Sequence, residues 1–158
     1  MRCAVSEEHR FVYVVTPKVA CTSIKTALLP LFGRDPAEAG DRGHAHKILA
    51  REGAIVSGDR FLSGLESRYR GYFKFSFVRN PYDRLVSCYY SKINPKVVGI
   101  DQEPHDGAEL RPGMSFREFA EAVCSIPDEK ANVHFRSQHL AISRGAGDGL
   151  PVDFLGRF

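Results

Sequence analysis

The chain has no pair of cysteines close enough in sequence to suggest a metal knuckle or a redox motif. Its four cysteines, Cys3, Cys21, Cys88 and Cys124, are scattered over 158 residues without a CxxC. A secreted disulfide framework is therefore not expected, and reduced thiols in a cytoplasmic protein are. No apolar run approaches the roughly 18 to 20 residues of a membrane span. The first nine residues, Met1 to His9, also lack the apolar core of a signal peptide. A soluble chain with no membrane span is the expectation. The formal charge is only +3 and there is no long Lys/Arg run, so nucleic acid is not the expected partner, while a small anionic ligand fits. The length suits one α/β domain with a real core and not two, so residues 1–158 are read as a single domain.

What is present begins with Phe11-Val12-Tyr13-Val14-Val15, a β-branched and aromatic run that reads as a buried strand. Ile24, Ala27, Leu28, Leu31 and Phe32 then recur at helical spacing. Between them stands Thr16-Pro17-Lys18-Val19-Ala20-Cys21-Thr22-Ser23, a strand-to-helix turn. The unpaired N–H groups of a helix's first turn and the helix dipole favour an anion at such a place. Thr22 and Ser23 add hydroxyl donors and Lys18 a mobile charge, so the segment is a candidate phosphate or sulfate cradle. It is not the nucleotide triphosphate loop GxxxxGK[ST], because the glycines are absent and the lysine comes first. Cys21 is either a thiol activated by the helix N-terminus and Lys18 or a small residue that packs there.

Further on, His44-Ala45-His46 cannot share a helical face but would point the same way in an extended segment. With no third ligand at sensible spacing, no metal is assigned to them. They are either exposed loop residues or a contact for a substrate hydroxyl. Gly58 to Tyr72 reads as a weak helix leading to a second strand, Phe73-Lys74-Phe75-Ser76-Phe77-Val78. Arg79 follows that strand. Asn80 is a good N-cap, Pro81 suits the first helical position and Asp83 complements the dipole of a helix running to Ile93. Arg84 faces away from Asp83 and Ser87 and is read as structural, paired with an unnamed acid. The loop from Asn94 to Gly113 is long enough to be a lid or binding loop and is the candidate for acceptor recognition. Ser115-Phe116-Arg117-Glu118 is a capping box that opens a scaffold helix to Ser125, with Phe116, Phe119, Ala120 and Val123 facing inward.

Taken together, the Pro17-Lys18-Val19-Ala20-Cys21-Thr22-Ser23 loop and the segment Phe77-Val78-Arg79-Asn80-Pro81-Tyr82-Asp83-Arg84-Leu85-Val86-Ser87 resemble the two phosphate motifs of sulfotransferases of the carbohydrate branch. The resemblance implies a P-loop-type three-layer α/β fold with a central, mainly parallel sheet flanked by helices. It implies PAPS (3′-phosphoadenosine 5′-phosphosulfate) as co-substrate and PAP as product, with no metal. By it, the loop from Pro17 to Ser23 takes the 5′-phosphosulfate, and Arg79 with Ser87 takes the 3′-phosphate. Arg presents a planar fork that matches phosphate oxygens. Asn132-Val133-His134-Phe135-Arg136-Ser137-Gln138 resembles a segment that lies beside the active site in that family, with Ser137 where proline is usual. Val152 to Phe158 resembles its late strand, after which the family's last segment is expected to be lacking.

The expected reaction is transfer of a sulfuryl group from PAPS to an acceptor hydroxyl, with a carbohydrate as the expected acceptor. Lys18 is the candidate for stabilising charge on the leaving phosphate. His46 is the first candidate for general base, followed by His44 and His134, with a carboxylate such as Glu66 or Asp101 as the other option. A catalytically silent PAP-binding or interaction module is the alternative from a different class. A divergent P-loop phosphotransferase is a further one, although neither strand read from the sequence ends in the acidic residue that magnesium would need.

Overall fold

The computed structural model of the chain describes residues 2–40, 44–57, 68–93, 110–111, 113–143 and 152–158. They form two compact units, one of residues 1–78 with 138–158, the other of residues 79–137.

The first unit is built on a five-stranded sheet, ordered β3-β1-β2-β4-β5. Its strands are β1 (Arg2–Ser6), β2 (Phe11–Val14), β3 (Ile55–Ser57), β4 (Phe73–Val78) and β5 (Phe154–Arg157). The apolar run at Phe11 is the central strand, buried at every residue as its composition requires. β2 pairs in parallel with β4, and β4 with β5. β1 pairs antiparallel with both β2 and β3. The expected mainly parallel sheet is therefore corrected to a mixed one. The cause is a hairpin at the start of the chain, where β1 turns through Glu7 to Arg10 straight into β2. A two-strand hairpin needs only a short turn, whereas parallel neighbours need a long crossover, here the segment between β2 and β4.

Alternation sorts the sheet's side chains onto two faces. Ala4, Tyr13 and Val15 face one way and gather Leu29, Ala39, Ala45, Leu49 and Ala54 into a core with Phe75 and Phe77 packed against it. This is the side covered by helices α1 (Cys21–Leu28) and α2 (Ala45–Arg51). Cys3, Val5, Val12 and Val14 face the other way and meet Tyr69, with Tyr72 and Val152 against them. At the far edge, Asp153 ties β5 to β4. Its N–H donates to the Lys74 carbonyl and its carboxylate accepts from the Lys74 N–H, each at 2.7 Å.

The helix expected over Ile24 to Phe32 begins earlier and ends earlier. It runs Cys21–Leu28 and tightens into a 3₁₀ turn at Leu29–Phe32. Pro30 explains the change: it has no N–H to donate to the Thr26 carbonyl, and Leu29 donates there instead.

The second unit contains α3 (Pro81–Lys92) and α4 (Phe116–Ser125). Both begin as their sequences dictate. Asn80 Oδ1 accepts from the Tyr82 N–H at 2.9 Å, and Ser115 and Glu118 complete a reciprocal capping box. The two helices pack through Cys88, Ile93, Met114 and Phe119. Tyr89 Oη donates to the Met114 carbonyl at 2.9 Å. Of the apolar face expected on α4, Phe119 is fully buried and Phe116 is exposed. A final short helix, α5 (Gln138–Ser143), belongs to the first unit. The loop proposed for acceptor recognition, Asn94 to Gly113, lies almost entirely outside the described residues, as does most of the weak helix read at Gly58 to Tyr72.

Candidate active site

The anion loop leaves the carboxyl end of β2. Its first residue, Thr16, is buried, and its Oγ1 lies 3.2 Å from Ser76 Oγ on β4. Pro17 and Lys18 are half-buried, and Val19 is fully buried, a plug that pins the middle of the loop to the core. The residues on either side of it, Lys18 (φ 66°) and Ala20 (φ 58°), adopt the left-handed conformation. For residues with a Cβ this costs about 1–2 kcal/mol each, and such strain collects at ligand-binding turns. Its effect is to turn the backbone sharply so that α1 starts at Cys21.

The first intrahelical bond runs from the Ile24 N–H to the Ala20 carbonyl at 3.0 Å. The N–H groups of Cys21, Thr22 and Ser23 thus precede the ladder, and no side chain caps them. Thr22 and Ser23 are exposed in this first turn. The loop accordingly offers three N–H donors, two hydroxyls and the positive end of a helix, a set suited to a tetrahedral anion.

His44 and His46 do not lie in an extended segment. His44 is the exposed N-cap of α2, and His46 sits inside the first turn. The two side chains therefore part company. His46 Nδ1 is buried without a hydrogen-bond partner. Burial first, then the charges of Lys25 and Arg2, hold its imidazole below the ordinary histidine range, in the neutral form a base requires. Lys25 is only 6% exposed. Burial lowers its pKa. Its spacing carried the signal: it stands four residues after Cys21 and four before Leu29, on the inward face of α1. Tyr13, whose hydroxyl is also buried without a partner, was passed over as core. Glu66 and Asp101 lie outside the described residues.

In the second unit, Arg79 follows the end of β4 and Ser87 lies two turns into α3; both are half-buried. In the first unit β2 and β4 are parallel neighbours, and the anion loop leaves the carboxyl end of β2. That edge is where ligands collect in open α/β sheets. Arg84 is 5% exposed, and two backbone carbonyls are among its partners. Its guanidinium donates through Nη1 to the Arg136 carbonyl at 2.7 Å and through Nη2 to the Val133 carbonyl at 3.2 Å. It thereby holds the turn that carries His134. Asn132 Oδ1 accepts the His134 N–H at 3.0 Å and lies 2.7 Å from His134 Nδ1. An oxygen committed as acceptor requires the proton on Nδ1, which leaves Nε2 as the basic nitrogen. Among the described residues no three His, Cys, Asp or Glu side chains come together as a metal site.

The model described as "Sulfotransferase family" matches residues 1–158, and the chain belongs to that family. It is 35% identical over 97 residues to carbohydrate sulfotransferase 11 of Rattus norvegicus, which covers 58% of this chain and 26% of that protein. To carbohydrate sulfotransferase 14 of Danio rerio it is 38% identical over 88 residues, 56% of this chain and 23% of the relative. To carbohydrate sulfotransferase 10 of Xenopus laevis it is 30% identical over 135 residues, 75% and 37% respectively. The matches thus span between 23% and 37% of the length of these relatives. No solved structure matches the chain. No helix among the described residues is long and apolar enough to cross a membrane.

Proposed function

We propose that the chain carries the donor site of a PAPS-dependent sulfotransferase acting on an acceptor hydroxyl of carbohydrate type. The observation that carries this reading is the loop from Thr16 to Ser23. A buried Val19 and two left-handed residues hold it in a shape that leaves the first-turn N–H groups of α1 open to an anion. Those N–H groups and the hydroxyls of Thr22 and Ser23 take the 5′-phosphosulfate, with Pro17, Val19, Ala20 and Cys21 as the backbone of the cradle. Arg79 and Ser87 take the 3′-phosphate. The carbohydrate acceptor is inferred from what the relatives' names say of them.

In the reaction, the acceptor oxygen attacks sulfur in line, the new O–S bond forming as the bond from sulfur to the bridging phosphate oxygen breaks. PAP leaves with the electron pair. Lys18 neutralises the charge that builds on the bridging oxygen, an interaction stronger in the transition state than in the ground state. The acceptor's proton passes to a histidine. His46 suits this role because its environment keeps it neutral, and His134 because Asn132 fixes its tautomer; His44 is exposed and comes after them. PAPS and PAP require no metal in this scheme.

Transfer of labelled sulfuryl from PAPS to a panel of hydroxyl-bearing saccharides tests the proposal. The wild-type chain is expected to label at least one. Lys18→Ala should slow transfer by about 10²-fold or more, the scale of losing one charge-stabilising group. PAP binding with no transfer to any acceptor would make the chain a nucleotide-binding module instead.

A further inference from the structure

Among the described residues β5 is the outermost strand of the sheet on the β4 side. Which of its backbone groups face outward follows from the register. The Phe73 N–H donates to the Arg10 carbonyl at 2.9 Å, on the β2 side, so the even-numbered residues of β4 turn toward β5. The Phe158 N–H agrees, donating to the Val78 carbonyl at 2.8 Å. Successive residues of a strand turn their N–H and C=O groups to opposite sides, so Phe154 and Gly156 bond toward β4 while Leu155 and Arg157 turn theirs away from it.

An exposed edge of this kind is a template for another strand, and proteins usually blunt it with charge. Here the edge is apolar at its middle. Phe154 is 50% exposed and Leu155 37%, on opposite faces of the sheet. Phe154 continues the aromatic row of Phe73, Phe75 and Phe77, its ring centroid 6.2 Å from that of Phe77. Gly156 makes room for this row, since a Cβ there would stand 2.5 Å from the Phe77 ring. The charges stand at the two ends, Asp153 before the strand and Arg157 as its last residue, both exposed. Asp153 uses Oδ2 to accept the Lys74 N–H, which leaves Oδ1. The order Asp153-Phe154-Leu155-Gly156-Arg157 is therefore complementary in charge to itself reversed.

We propose that the outer edge of β5 docks β5 of a second copy of this chain, antiparallel, about a two-fold axis at Leu155. In that register the Leu155 N–H of each copy donates to the Leu155 carbonyl of the other. Asp153 of each copy stands opposite Arg157 of the other, on the same face as the two Leu155 side chains, so an apolar contact is flanked by two ion pairs. Phe154 stands opposite Gly156 of the other copy in a non-hydrogen-bonded pair, where side chains come closest, and its ring meets the aromatic surface of Phe77. Parallel pairing in register would set Asp153 against Asp153 and Arg157 against Arg157, so charge selects the antiparallel arrangement. The proposal is independent of the transferase reading, because no residue of β5 belongs to the donor site.

Sedimentation velocity of the full chain, at protein concentrations up to about 1 mM, tests it; the contact is short, so weak association is the expectation. The wild type should show a reversible monomer–dimer equilibrium. Leu155→Pro removes the outward N–H and leaves the bonds to β4, so it should abolish the dimer with the circular dichroism unchanged. Arg157→Glu and Asp153→Lys each turn two attractive pairs into repulsive ones, and each should weaken the dimer by about tenfold or more. A mixture of the Arg157→Glu and Asp153→Lys chains has opposite charges at both ends again and should associate nearly as well as the wild type. Should Asp153→Lys fail to fold for want of its bond to Lys74, Leu155→Pro and Arg157→Glu decide the matter. A chain that stays monomeric at every concentration would overturn the proposal. So would a dimer indifferent to Leu155→Pro and Arg157→Glu, or a mixture no tighter than its folded components. PAP affinity, read by calorimetry, should be equal in the wild type, Leu155→Pro and Arg157→Glu; failure of all three to bind PAP counts against the transferase reading alone.

Discussion

Thr16 and Ser76 join the ends of β2 and β4 by a buried hydroxyl contact of 3.2 Å, directly beneath the anion loop. Ser76 Oγ donates to the Val14 carbonyl at 2.8 Å, so its hydrogen is committed and Thr16 must be the donor between the two hydroxyls. Ser76→Ala would leave the Thr16 hydroxyl buried and unsatisfied, at a cost of about 1–3 kcal/mol. The double variant Thr16→Val/Ser76→Ala should be less destabilised than the sum of the single ones, because it removes both members of the pair. Urea unfolding of the four proteins measures this, and strict additivity would contradict it.

Ala20 carries a side chain in a left-handed conformation at the start of α1. Ala20→Gly relieves that strain, worth about 1–2 kcal/mol, against the extra freedom glycine gives the unfolded chain, about 0.4–1 kcal/mol. The expected net is a stabilisation of between about 0 and 1.6 kcal/mol, seen as an unchanged or raised Tm. A clear fall in Tm would show that the loop is not held as described.

Arg84 is buried between two backbone carbonyls of the turn that carries His134. Arg84→Lys keeps the charge but loses the fork that reaches both Val133 and Arg136. It should destabilise the chain by about 2–3 kcal/mol, the scale of charged hydrogen bonds, and Arg84→Ala by at least as much. Equal stability of Arg84→Lys and wild type in denaturant would rule out the two-carbonyl anchor.

The parts that were legible in the sequence are those whose signal is local. The apolar run at Phe11, the alternating aromatics from Phe73 to Phe77, the Asn80 cap and the Ser115 capping box each form the element their residues specify. β1 was not legible, because Arg2–Ser6 contains a single β-branched residue, Val5, and is a strand only through pairing with β2 and β3. The mainly parallel sheet was what the resemblance implied, and this hairpin is where the chain departs from it. β3 is too short, at three residues, to show any alternation. At the site, motif spacing marked the loop from Pro17 to Ser23, but the partners of Arg84 were hidden, since a backbone carbonyl has no residue signature. The burial of Lys25 was not legible, because lysine is rarely buried and only its spacing places it on the inward face of α1.

His46 also makes stability depend on pH. Burial and two neighbouring cations lower its pKa in the folded chain below the value of about 6.5 that the unfolded chain retains. The unfolded state therefore binds the proton first as pH falls. This component of stability is present above about pH 6.5 and is lost as pH falls toward and through the folded-state value. In His46→Gln the fall in Tm between about pH 6.5 and pH 5 should be shallower than in wild type. Identical slopes would mean that His46 is not held neutral by its surroundings.

Titration of PAP into the wild-type chain and into Arg79→Ala and Lys18→Ala, followed by calorimetry, bears most directly on the account. PAP should bind the wild type. Arg79→Ala should weaken it by roughly 1.5–3 kcal/mol, the range for hydrogen bonds to a charged group, and Lys18→Ala should weaken it far less than it slows transfer. No PAP binding by the wild type, or equal affinity for wild type and Arg79→Ala, would contradict the claim that these two motifs serve one nucleotide.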